Sequence, residues 1–148
     1  MTAWRIDTLF GKFGQVRSSE FMRIAIVGTP KVLFDGSCPI CRREISFYQR
    51  QRGAADLLWI DVSQIAEGEV IPGLSRQRAR SRFHLLDETG VLRSGGAAFA
   101  ALWLRLPGFK WLGRLCRLPP LAWALEQSYR LFLKFRPKLQ RLLDERPR

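Results

Sequence analysis

The sequence predicts an α/β domain: a four-stranded mixed sheet with flanking helices and a helical C-terminal extension. Three observations predict it. Lys31–Phe34 (KVLF), short, apolar and containing a β-branched residue, leads through an Asp35-Gly36-Ser37 turn into a helix-periodic run opening at Pro39. A second apolar segment, residues 57–62, follows that run and completes a strand–helix–strand unit with a parallel pair. Further on, residues 82–86 and 91–93 flank Asp87-Glu88-Thr89-Gly90, a β-hairpin signal with glycine in the loop.

Each element has a local cause. Residues 24–27 offer a further β-branched segment ahead of the first strand. In the first helix Ile40, Glu44, Ile45, Phe47 and Tyr48 are spaced as an inward stripe, while Arg42, Arg43, Gln49 and Arg50 mostly face water. Gly53 stops it. Residues 63–80 read as a polar linker with Pro72-Gly73 and room for a short helix. From Ala97 the chain turns helical, with Phe99, Leu102, Trp103 and Leu106 on one face. Pro107-Gly108 breaks this helix. Two helical segments follow, at 109–118 and 121–135, parted by Pro119-Pro120, with Pro137 placed to end or kink the last. Strand, helix, strand, linker, hairpin and helices is the order of the thioredoxin fold. The organisation expected is an N-terminal arm over 1–30, one domain over 31–136 and a basic tail over 137–148.

Composition bounds what the chain can be. It has 148 residues, 47% hydrophobic, enough for one core and too few for two comfortable domains. No uncharged apolar run approaches the roughly 18 residues of a membrane-spanning helix. Three cysteines do not make a disulfide-stapled scaffold. The first residues lack a secretory signal, although Trp4, Ile6, Leu9, Phe10 and Phe13 suit a short amphipathic helix, and Met22 offers a second start. The expected compartment is the cytoplasm, where a cysteine pair more often means redox chemistry or metal than a structural bridge.

Cys38-Pro39-Ile40-Cys41 stands where strand passes to helix. Proline is favoured at the first helical position because its missing N–H would have had no partner there. Cys38 is therefore the expected N-cap, its sulfur facing the free N–H groups and positive end of the helix. Both favour thiolate, so its pKa should fall below the free value of ~8.5; Arg42 and Arg43 add positive charge nearby. Cys41, one turn on, can attack a mixed disulfide formed at Cys38. A zinc site is the competing use of the pair. It would need Cys38, Cys41, His84 and Cys116, dispersed along the chain with no second cysteine knuckle. Cys116 otherwise reads as a buried free thiol, and His84 as a neutral histidine or a group that tunes the thiolate. Asp35, three residues before Cys38, has two readings: a turn residue bonding backbone amides, or a proton shuttle for Cys41.

The stretch VLFDGSCPICRREISFYQR resembles the DCC family of thiol-disulfide oxidoreductases, with Asp35, Cys38 and Cys41 at the three positions that name the family. Phe83-His84, Thr89-Gly90-Val91, Gly95, Ala98-Phe99, residues 106–112 and Tyr129-Arg130 are similar to its later blocks, so the resemblance covers roughly 31–136. It implies a thioredoxin-like fold, a disulfide reductase activity and a functional Asp35. One departure from the wider thioredoxin pattern stands out. Arg80-Ser81-Arg82, with no proline, precedes the third strand, which leaves Phe83 or His84 to sit beside the dithiol.

The net charge of +12 is uneven: nine basic and eight acidic side chains lie in 1–75, sixteen and five in 76–148. Arg76, Arg78, Arg80 and Arg82 alternate and, if extended, would share a face able to hold carboxylates or phosphates. Aromatics interleave with bases from Phe109 to Lys138. Nucleic acid, an anionic membrane surface and plain sheet-covering helices all fit that pattern, and no nucleic-acid motif accompanies it. The leading expectation is a protein-disulfide reductase type of oxidoreductase, with Cys38 as nucleophile, Cys41 resolving and Asp35 assisting. Its substrate would be a disulfide-containing protein or a small thiol compound. It asks for no bound cofactor or metal, only an external reductant. The alternative is a basic module for nucleic acid or anionic membrane whose cysteines are structural or zinc-bound.

Overall fold

The computed structural model describes residues 28–144. Residues 1–27 of the expected 1–30 arm, its amphipathic helix, the strand at 24–27 and residues 145–148 lie outside them. Among the described residues six strands form, β1 (Lys31–Phe34), β2 (Leu58–Asp61), β3 (Glu69–Ile71), β4 (Leu74–Ser75), β5 (His84–Leu86) and β6 (Leu92–Ser94). The helices are α1 (Pro39–Gln49), α2 (Arg76–Ser81), α3 (Gly96–Arg105), α4 (Lys110–Leu115) and α5 (Pro119–Asp144). The main sheet runs β2-β1-β5-β6. β1 lies parallel to β2, with Lys31 opposite Leu58, and antiparallel to β5, with Leu33 opposite His84. This is the mixed α/β, thioredoxin-like arrangement expected.

Both faces of the sheet are covered, which is why its central strands read as continuous apolar runs. Neighbouring residues go to opposite sides. Val32, Phe83 and Leu85 join Ile45 and Tyr48 of α1, Phe99 and Leu102 of α3 and Tyr129 of α5 in one core. Leu33 and Leu86 join Val62, Val70, Ile71, Leu74 and Ala79 in the other.

Four expectations change. Residues 63–80 are more than a linker: the short helix they have room for is α2, and the β3–β4 hairpin precedes it. Val70, Ile71 and Leu74 bury themselves on either side of Pro72-Gly73, where Gly73 takes a φ of 82°. The alternating arginines are not extended. Ser75 Oγ accepts from the Arg78 N–H and caps α2, so Arg76 and Arg80 share one helix face. Tyr48 is buried as expected, but Phe47, expected inward with it, is 46% exposed; the Phe47 ring packs edge-on against Phe109. Finally, Pro119 opens α5, which continues through Pro137 to Asp144. The expected tail is therefore helical as far as Asp144. Pro137 costs one helical hydrogen bond, but good helix formers on both sides carry the helix past it.

The β5–β6 hairpin turns on Asp87. Its Oδ1 accepts from Thr89 N, Thr89 Oγ1 and Val91 N, and its Oδ2 pairs with Arg93. These bonds, led by the Thr89 hydroxyl, hold its carboxyl well below the usual carboxylate range. Asp87→Ala should cost about 2 kcal/mol of stability, read by denaturant unfolding. Because the folded-state pKa is depressed, that contribution is present above the unfolded value of ~3.9 and fades as pH falls further. The gap between wild type and variant should therefore shrink in acid.

Candidate active site

The β1–α1 junction makes the site. Cys38 has φ −82° and ψ 115°, outside the helix, and Pro39 follows at its first position. The Cys38 sulfur accepts from the Cys41 N–H at 3.3 Å, the bond expected of an N-cap. The Cys41 thiol also donates to it, with the two sulfurs 2.6 Å apart. That thiol bond does most to lower the Cys38 pKa, to about 5. The Cys41 amide and the Arg136 guanidinium lower it further, and burial opposes them. Cys41 moves the other way: donating to Cys38 and losing water both push its pKa up. The pair is thus split into a thiolate and a thiol at neutral pH.

The turn before the pair is tightly bound. The Gly36 N–H donates to Asp61 Oδ1 at 2.8 Å, and the same oxygen accepts from the Ser63 N–H and hydroxyl. A methyl group on Gly36 would overlap the Asp61 carboxylate. Gly36→Ala should therefore destabilise the protein by about 1–3 kcal/mol and slow alkylation of Cys38, measured by unfolding and thiol labelling.

Asp35 is 9% exposed. Its Oδ1 accepts from the Ser37 N–H and hydroxyl and pairs with Arg80 at 3.5 Å; its Oδ2 accepts from Arg136 at 2.7 Å. Asp35 thus bonds the turn amide, as its reading as a turn residue expects, and its side chain borders the same void as Cys41. The positive charge that reaches Cys38 is not the one the sequence suggested. Arg42 donates to the Gly36 carbonyl and Arg43 is exposed, whereas Arg136 of α5 spans Asp35 and Cys38.

Access is restricted. Cys38 is 0% exposed, and Cys41 is half-buried. Cys41 lines a small void of about 30 Å³ with Asp35, Glu44, Phe83, Tyr129 and Arg136. Beside it opens a cleft of about 990 Å³ bordered by Asp35, Ser37, Arg76, Arg80, Arg136 and Gln140. No cis peptide bond occurs among the described residues. Phe83 borders the Cys41 void, and its N–H donates to the Tyr129 hydroxyl at 2.7 Å. His84, one residue on, sits opposite Leu33 of the other core, and burial lowers its pKa. Cys116 closes α4 half-buried. Among the described residues no three histidine, cysteine or carboxylate side chains gather as metal ligands, so the zinc set is not assembled.

Arg136, Glu44 and Tyr129 do not stand out as site residues in the sequence, and Arg80 does so only as one of four arginines able to hold an anion. Arg136 carries a signal in retrospect. Tyr129, Phe132 and Arg136 recur at i, i+3 and i+7, which puts one cation on the inward face of α5. Glu44 likewise stands among the inward positions of α1, where burial raises its pKa.

A thiolate-capped helix on a four-stranded mixed sheet, with a second thiol one turn deeper, defines a thioredoxin-like dithiol protein. The chain belongs to the DCC1-like thiol-disulfide oxidoreductase family, whose model matches residues 32–142. An uncharacterized chloroplastic protein of Arabidopsis thaliana is 26% identical over 127 residues, covering 78% of this chain and 58% of the relative. The chain thus spans little more than half the length of that relative. No solved structure matches it. Among the described residues no helix is long and apolar enough to cross a membrane.

Proposed function

We propose that the protein reduces disulfides, with Cys38 as nucleophile and Cys41 as the resolving thiol. One observation carries this reading: the Cys38 sulfur caps α1, 2.6 Å from the Cys41 sulfur. The Cys38 thiolate attacks one sulfur of a substrate disulfide. A Cys38–substrate bond forms, the substrate bond breaks, and the other substrate sulfur leaves as thiolate. Cys41 then gives up its proton and attacks the Cys38 sulfur. The second substrate thiolate is released, the protein pair is oxidised by two electrons and the substrate is reduced. Asp35 borders the Cys41 void and takes that proton; Glu44, in the same void, competes for the role. Because Cys38 is fully covered, the Arg136 end of α5 must yield before a disulfide can reach it.

The electrons reside in the dithiol, so the reaction uses no bound cofactor or metal and needs an external thiol reductant. Disulfide-bearing proteins and small disulfides are the proposed substrates, and a reducing compartment such as the cytoplasm suits the chemistry. Cys41→Ser is the test. It should trap substrate on Cys38 as a mixed disulfide that persists on non-reducing gels and releases on adding thiol. A Cys41→Ser protein that never accumulates this adduct would overturn the assignment.

A further inference from the structure

Helix α5 has three faces, and only two are accounted for by the fold and by charge. Tyr129, Phe132, Leu133 and Arg136 turn inward. Arg130, Lys134, Lys138 and Arg141 are exposed on another side. Between them runs an exposed apolar stripe: Leu121, Leu131, Phe135, Leu139 and Leu142 are 41%, 55%, 48%, 39% and 62% exposed. Ala124 and Ser128, also exposed, fill the gap in the stripe with small residues. Leu121, Ser128, Phe135 and Leu142 recur every seven residues, so the stripe follows the whole helix, about 39 Å at 1.5 Å per residue.

A soluble helix gains nothing from leaving Leu and Phe in water over this length. The occupant must therefore satisfy apolar and cationic strips side by side. From Gln127 to Leu143 the helix has no acidic residue. A second copy of α5 laid on the stripe would bring cations against cations. The chain's own residues 1–27 carry four basic and two acidic side chains, and so bring no complementary charge either. Nucleic acid would answer the cations and leave the leucines unpartnered. An anionic lipid surface answers both, with acyl chains for the stripe and headgroups for the flank. In the stretch that leads into α5 and in its first turns, Trp111 and Trp123, 61% and 67% exposed, alternate along the chain with the exposed Lys110, Arg114 and Arg117, the side-chain types that settle at headgroup depth.

We infer that the protein docks peripherally on anionic membranes, α5 lying in the interface with its exposed apolar stripe in the lipid. Co-sedimentation of the full chain with vesicles tests it. Binding is expected to vesicles of equimolar phosphatidylcholine and phosphatidylserine, and to weaken as salt rises. Pure phosphatidylcholine should retain at least about tenfold less protein. Lys134→Glu with Lys138→Glu should lower affinity for the anionic vesicles by about thirtyfold or more, since two juxtamembrane cations are lost and two anions gained. Phe135→Ser with Leu131→Ser should weaken it comparably. These side chains are exposed, so the pH profile of Cys38 alkylation should not move, and the dithiol chemistry stands or falls separately. Failure to bind anionic vesicles at low salt would overturn the inference. So would a dimer in sedimentation velocity that Phe135→Ser dissolves, since a second copy would then own the stripe.

Discussion

Cys38→Ser should reduce disulfide turnover by on the order of a thousandfold or more. A serine hydroxyl stays protonated where the Cys38 thiol, at a pKa of about 5, is ionised. Cys41 is a poor substitute, because burial still pushes its own thiol up when the Cys38 sulfur is gone. The variant should remain folded, since serine is itself a favoured N-cap and can accept the same Cys41 amide. Circular dichroism and reduction of dithiobis(nitrobenzoate), followed together, separate the two effects. A folded Cys38→Ser protein that keeps a tenth of the activity would remove Cys38 from the mechanism.

Arg136→Met should raise the Cys38 pKa from about 5 by about one unit, through loss of a hydrogen-bonded cation beside the thiolate. At neutral pH the thiolate fraction hardly changes, so the effect shows only in the acid limb of an alkylation profile. A second readout moves in the opposite sense. Arg136 ties α5 to Asp35 and to the Arg80 carbonyl, and its loss frees the cover over Cys38. The plateau rate of alkylation at high pH should therefore increase while its midpoint shifts up. An unchanged plateau would mean that α5 does not limit access. The sign also fixes the pH dependence of stability. The folded Cys38 pKa lies below the unfolded value of ~8.5, so the thiolate contributes stability to the reduced protein that is complete above that value. It is lost as pH falls through about 5. The oxidised protein has no such titration, so the Tm difference between reduced and oxidised forms should change across this window.

The sequence was most legible where structure is local. The β1–α1 junction could be read because proline position, turn chemistry and cysteine spacing all lie within seven residues of Asp35. The β5–β6 hairpin was equally readable from its Asp-Glu-Thr-Gly loop. Residues 63–80 were not, because β3 and β4 have three and two residues, too short for any period to register. Capping by Ser75 decided the arginine pattern there, against an alternation that looked extended. Phe47 and Tyr48 are neighbours on α1 and both read as inward, and hydrophobicity alone could not say that only Tyr48 would be buried against Phe99. Arg136 lies 101 residues from its partner Asp35, and only the packing of α5 across the sheet joins them. Long-range docking of a helix is what a single sequence expresses least.

The Tyr129 phenol holding the Phe83 amide has a bearing on what the dithiol can meet. A main-chain N–H at the mouth of β5 is the natural handle for an incoming peptide that would add itself as one more extended segment. Here the chain has filled that handle with its own side chain. A client must approach sulfur-first, without main-chain guidance from this amide, or else displace the phenol.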